Sequence, residues 1–288
     1  MEERIQKLIA QAGIASRRAA EDMIIQGRVS VNGTTATLGQ KADPETDTIR
    51  VDGKALPRPE KQRYIIVHKP RGYISSTVED EQISVPTVLE LVNSDVRLYP
   101  VGRLDVNSEG LVLLTNDGEL TNRLTHPRYG HEKTYKVLLE GYVNDEKLNR
   151  WRSGLTLPDG FRTGPAKVIL LEGSRDGTWV RVVLREGHKR QIREIADLLG
   201  HPAKRIIRTH IGSLALGDLP PGKFRELTYD EVKALRDEAG TGKQRRPPQQ
   251  RSSAAKPEGP HPSRRPSTGG RPASRSGNRS TSRRPRRG

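Results

Sequence analysis

The sequence predicts an α+β protein: a small N-terminal module of two helices and a hairpin, a larger mixed domain, and a tail with no core of its own. Three observations lead there. Two helical patterns fill the first 27 residues before a turn, β-rich runs recur from Tyr64 to Leu184 without a regular β–α–β alternation, and composition shifts at residues 57–62 and again after 238. No repeat of 20 to 50 residues is evident, which excludes a solenoid. With no cysteine and no apolar segment long enough to cross a bilayer, the 288 residues predict a soluble protein of two domains in a reducing cytoplasm. The opening MEERIQKLIAQAG carries acids at positions 2 and 3 and helical periodicity, so it does not read as a secretory signal.

In chain order, Ile5, Leu8, Ile9 and Ala12 share one face of a first helix, which Gly13 stops. Ser16 is placed to cap a second helix with Ala19, Ala20, Met23 and Ile24 inward; Gly27 ends it, and RVSVNG turns through Asn32 and Gly33 into a hairpin. Arg17 and Arg18 fall in the first turn of that helix, where the dipole disfavours cations by a few tenths of a kcal/mol. An anionic partner and plain solvation both account for them. Residues 57–62, rich in proline and charge, read as a linker. Beyond it, Tyr64 to His68, Leu111 to Thr115, Tyr135 to Leu139, Trp179 to Leu184 and Ile206 to Leu216 read as strands, and Val85 to Val92 and Gln191 to Leu199 as helices. Asp117 and Gly118 read as a turn.

The formal charge of +16 is concentrated at one end: residues 241–288 contribute +13 and contain no Leu, Ile, Val, Phe, Tyr or Trp. Such a segment cannot bury enough surface to fold, and residues 239–288 are expected to be a disordered basic arm. An arginine-rich arm binds phosphate backbones without sequence preference, which points to nucleic acid. It lacks the apolar face that membrane attachment requires.

The most informative stretch is Gly102 to Leu120, GRLDVNSEGLVLLTNDGEL, which sets Asp105 beside Arg103 and just ahead of a buried strand. A carboxylate close to low-dielectric surroundings either protonates or finds a cation; a loop aspartate that caps a turn is the plainer alternative. Three further segments put cations at strand ends: Lys69-Pro70-Arg71-Gly72, Lys133-Thr134-Tyr135-Lys136, and Glu186 to Arg193, EGHKRQIR. In the last, Lys189, Arg190 and Arg193 crowd the start of a helix, the end where the dipole opposes them, so a carboxylate, RNA phosphates or solvent must compensate.

ERIQKLIAQAGIASRRAAEDMIIQGRVSVNG, closed by TIRVDGK, resembles the S4 RNA-binding domain over nearly all of residues 2–54, which sets the expected domain at residues 1–56. Together with the aspartate motif and the three cationic segments, in order from residue 2 to about 235, the chain resembles the RsuA/RluB family of ribosomal RNA pseudouridine synthases. The resemblance implies a mixed, mainly antiparallel sheet flanked by helices over residues 63–238. It implies isomerisation of a uridine in ribosomal RNA after base flipping, with no cofactor and no metal. Residue by residue, it makes Asp105 the catalytic aspartate, Tyr135 the tyrosine that packs on the base and assists proton transfer, and Arg193 the arginine paired with the aspartate. It gives Arg103 a part in holding the nucleotide out of its helix. Lys69 and Pro70 match a motif near the site, and Arg17, Arg18, Lys69, Lys133, Lys189 and Arg190 form the expected RNA-contact set. His188 and Glu194 depart from the arginine that relatives often carry. A full S4-like module with a long arginine-rich extension resembles the large-subunit branch more, so 23S rRNA, free or in an assembling subunit, is the expected target and 16S rRNA the alternative. A monomer is expected. A non-catalytic RNA-binding assembly factor is the rival reading. The absence of cysteine, of a glycine-rich nucleotide loop and of a metal-ligand spacing argues against a methyltransferase, a P-loop enzyme or a zinc deaminase.

Overall fold

The computed structural model describes residues 1–77 and 85–241. At the N-terminus, β1 (Glu3–Arg4) leads into α1 (Ile5–Gln11) and α2 (Arg17–Ile25), followed by β2 (Val29–Val31), β3 (Thr34–Thr35), β4 (Lys41–Ala42), β5 (Ile49–Val51) and β6 (Lys54–Ala55). Here the sequence reading holds closely. The Ser16 hydroxyl accepts the Ala19 N–H at 3.1 Å and so satisfies one of the free donors at the start of α2. Asn32 and Gly33 both take positive φ, the geometry that turns β2 tightly onto β3. Ile5, Leu8, Ile9, Ala20 and Ile24 of the helices close on Val29, Val31, Ile49 and Val51 of the sheet. This core is aliphatic and shares no member with the three clusters of the larger domain.

The larger domain runs β7 (Tyr64–Lys69), β8 (Tyr99–Val101), β9 (Glu109–Thr115), α3 (Gly118–Thr125), β10 (Lys133–Leu139), α4 (Asp145–Ser153), β11 (Lys167–Ser174), β12 (Gly177–Leu184), α5 (Gln191–Leu198), β13 (Ala203–Ile211), β14 (Leu214–Ala215), β15 (Phe224–Glu226) and α6 (Tyr229–Thr241). Its strands form one sheet in the order β11-β12-β10-β13-β9-β7-β15, with β14 on β13 and β8 on β9. Among the described pairings only β9 with β13 is parallel; the others are antiparallel. The continuous apolar run of β9 has a physical cause. Leu111 and Leu113 enter a cluster with α3 and α6, while Val112 and Leu114 enter another on the opposite face, so every residue of the strand is covered. Trp151 of α4 and Ile192 and Ile195 of α5 cover β10 and β12 with a third cluster.

Four expectations are corrected. Asp117 is not a simple turn residue but the N-cap of α3, accepting from the Glu119 and Leu120 N–H groups. The helix expected over Val85 to Val92 is a single 3-10 turn, Val88–Leu91, started by a capping box of Thr87 and Glu90 and ended by an extended Val92. The strand expected over Ile206 to Leu216 breaks at Gly212, whose φ of 53° turns β13 back into β14. Ala239 to Thr241 continue α6 instead of opening the tail. The rest of the expected arm, from residue 242, lies outside the described residues.

Candidate active site

β8 and β9 are joined by a loop, residues 102–108, that carries Arg103 and Asp105. The loop is stitched in place by its backbone. The Asp105 carbonyl accepts the Ser108 N–H, and the Val106 carbonyl accepts the Gly72 N–H, both at 3.0 Å. The Ser75 hydroxyl takes the Leu104 N–H at 3.3 Å. Lys69 lies underneath, with no exposed surface, and its ammonium donates to the carbonyls of Pro70 and Val106 at 2.9 and 3.2 Å. Burial pushes that ammonium down to about 8. Lys69 was expected at the RNA surface; it faces inward at the end of β7 and supports the aspartate loop instead.

Asp105 is half-exposed, its side chain 39 % accessible, and not sunk in apolar surroundings. Its cation arrives from α5: Arg193 Nε stands 3.9 Å from Asp105 Oδ2, within ion-pair reach but beyond a hydrogen bond. The guanidinium is otherwise anchored, with its two Nη groups donating to the carbonyls of Asn107 at 2.9 Å and Ala203 at 3.2 Å. Nε itself is buried and meets no acceptor among the described residues. Burial lowers the affinity of this guanidinium for its proton, and the nearby Asp105 carboxylate opposes that effect.

Tyr135, on β10, is half-buried and packs against two of the hydrophobic clusters at once. Lys133, two residues before it on the same face, donates to the His131 carbonyl at 3.2 Å and is pushed down to about 8 by burial, assisted by the nearby Arg208 charge. Asp105, Arg103, Tyr135, Lys133, Lys189, Arg190 and Arg193 all line one cleft of about 520 Å³. Lys189 and Arg190 are exposed on its rim, and Arg190 takes a left-handed φ of 55° at the N-cap of α5. Arg17 and Arg18 do not line the cleft; they are exposed at the start of α2. His188 lines it too, with Nε2 2.6 Å from Asp159 Oδ2 and its ring stacked on Phe161 at 4.2 Å.

Sequence reasoning missed two groups. Glu109, 6 % exposed, is held by Arg205 through Nε at 2.9 Å and Nη2 at 2.8 Å and by Arg71 Nε at 2.8 Å. Burial opposes its ionisation, but hydrogen bonds from Arg205 and Arg71 outweigh burial and hold the carboxyl below the usual carboxylate range. Arg208, 2 % exposed, donates from Nε to the Leu111 carbonyl at 2.8 Å and from Nη1 to the Arg103 carbonyl at 3.5 Å. A signal existed for it: alternation along RIIRTHI puts Arg208 on the same inward face as Ile206. The cleft is thus a carboxylate, a tyrosine and a set of fixed cations, an arrangement suited to a phosphate-bearing nucleotide whose base is turned into the protein.

Comparison with known proteins agrees with this geometry. A family model described as RNA pseudouridylate synthase matches residues 63–197, and one described as S4 domain matches residues 3–54. Ribosomal large subunit pseudouridine synthase B of Bacillus subtilis (strain 168) is 41% identical over 244 residues, 84% of this chain and 98% of the relative. An uncharacterized RNA pseudouridine synthase of Aquifex aeolicus (strain VF5) is 43% identical over 238 residues, 82% of this chain and 94% of the relative. A crystal structure of a pseudouridylate synthase superposes with a TM-score of 0.58 at 30% identity, covering 81% of this chain and 99% of that one. The chain belongs to the RNA pseudouridylate synthase family, and carries an S4 domain ahead of the synthase domain.

Proposed function

We propose that the protein isomerises one uridine of 23S ribosomal RNA, with Asp105 as the catalytic carboxylate, Arg193 as its counter-ion and Tyr135 as the ring on which the flipped base stacks. The observation that carries this reading is the convergence of Asp105, Tyr135 and Arg193, from three separate segments, on one cleft rimmed by Arg103, Lys189 and Arg190. The extent of the match to the Bacillus subtilis large-subunit enzyme supports 23S over 16S rRNA. In this reading the S4 domain, with Arg17 and Arg18 exposed on α2, docks structured RNA, and the protein works as a cytoplasmic monomer on free rRNA or an assembling subunit.

The test is pseudouridine mapping of 16S and 23S rRNA from cells lacking the protein, complemented with the native chain or with Asp105→Asn. The expected result is one 23S position that loses its modification and is restored by the native chain alone. Restoration by Asp105→Asn removes the catalytic role of that residue. If no position changes, a non-catalytic assembly role is the better reading.

A further inference from the structure

The cleft contains a cation to which neither the ion pairs nor the expected roles assign work. Arg208 is 2 % exposed and lines the cleft. Its Nε and Nη1 are committed to the carbonyls of Leu111 and Arg103, which fixes the plane of the guanidinium. Nη2 is buried and has no acceptor among the described residues. A buried guanidinium with no carboxylate beside it is costly, so its positive charge calls for another group to answer it. None of the ion pairs among the described residues includes Arg208 or Lys133.

Strand register says what that charge faces. Arg208 of β13 is the cross-strand partner of Tyr135 on β10, so the two side chains stand on the same face of the sheet. Tyr135 is the one Phe, Tyr or Trp ring among the residues lining the cleft, and aromatic faces are where unstacked bases rest. A base resting on Tyr135 would lie beside Arg208, while the exposed Lys189 and Arg190 at the rim are placed to meet the backbone phosphate.

Isomerisation breaks the bond between uracil N1 and the sugar C1′. The bonding pair stays with the ring, whose charge spreads over N1, O2 and O4; the bond from C5 to C1′ then forms, C5 loses its proton and N1 gains one. We propose that Arg208, with Lys133 beside it, is a catalytic cation whose guanidinium faces the flipped uracil across the cleft and stabilises the negative charge on the ring after the N1–C1′ bond breaks. A charge fixed before the reaction and shielded from water stabilises such an anion without reorganising. The inference rests on the isomerase reading and adds a residue to it.

The experiment measures single-turnover rates and RNA affinity for the full chain on 23S rRNA transcripts containing either uridine or 5-fluorouridine. The fluorinated ring leaves as a weaker base and needs less stabilisation; its C5 carries fluorine and has no proton to lose, so on both RNAs the rate read is that of N1–C1′ cleavage and C5–C1′ bond formation, which precede that step. Arg208→Met is expected to slow reaction on uridine RNA about a hundredfold with the Kd within about threefold of native, Arg208→Lys to recover part of the rate, and the deficit to shrink several-fold on 5-fluorouridine RNA. An equal deficit on both RNAs means that Arg208 only props the aspartate loop, and overturns the proposal, as does an unchanged rate. If far-UV circular dichroism shows Arg208→Met unfolded, Lys133→Met and Arg208→Lys are read by the same criterion. A native chain inactive on both RNAs overturns the isomerase reading itself, a result distinct from failure of the Arg208 assignment.

Discussion

Lys69 shows how a cation that reads as a surface contact becomes part of the framework. Its ammonium has no exposed surface and is satisfied by two carbonyls, so it supports the turn beneath Asp105 and cannot reach RNA. Because burial holds it at about 8 against an ordinary 10.5, the unfolded chain binds the proton more tightly than the folded one. Between those values the unfolded state carries more protons, so this residue's contribution to stability rises with pH and is least favourable below 8. The expected outcome is that the native chain gains Tm relative to Lys69→Met on going from pH 7 to about pH 10, measured by thermal melts in matched buffers. The pairing of Asp105 with Arg193 was expected from the family resemblance of their motifs, and the two stand 3.9 Å apart. Glu109 was not expected, since a single charged residue in a strand ordinarily marks a solvated face, and for Arg208 alternation with Ile206 was the one signal. What buries them is strand pairing: Arg205 and Arg208 of β13 and Arg71 after β7 come from elsewhere in the chain.

Among the elements, the parallel seam between β9 and β13 decides where the site forms. Arg208 is paired with Gly110, and a β-carbon at that glycine would overlap the Arg208 backbone while its φ of 109° disfavours any side chain. Gly110→Ala should therefore cost about 3 kcal/mol, read from the denaturation midpoint, and slow isomerisation because the same seam holds Arg208 against the Asp105 loop. Local chemistry made the N-terminal elements legible: a serine cap, an Asn-Gly turn and glycine stops each act within a few residues. The larger domain yielded less. Asp117-Gly118 has the composition of a turn, and only the Leu120 and Leu124 face buried against the sheet makes it the start of α3. β11, as an edge strand with a register shift between Leu170 and Glu172, gives no clean alternation to detect.

At the scale of the whole chain, the charge distribution is the feature that bears on affinity. Residues 241–288 hold +13 of the net charge of +16, and residues 1–240 are only mildly basic. A chain ending at residue 241 should bind 23S rRNA more weakly and with a flatter dependence on salt, while retaining turnover at saturating RNA; filter binding across a salt series measures the slope. The separate aliphatic core of the N-terminal module has an optical consequence. Residues 1–56 contain no tryptophan, tyrosine or phenylalanine, whereas both tryptophans, Trp151 and Trp179, belong to the synthase domain. The RNA-docking module is dark to intrinsic fluorescence but contributes two helices to far-UV circular dichroism. If its core melts on its own, dichroism will register a transition that fluorescence misses, and superposition of the two curves will show that the two cores unfold as one.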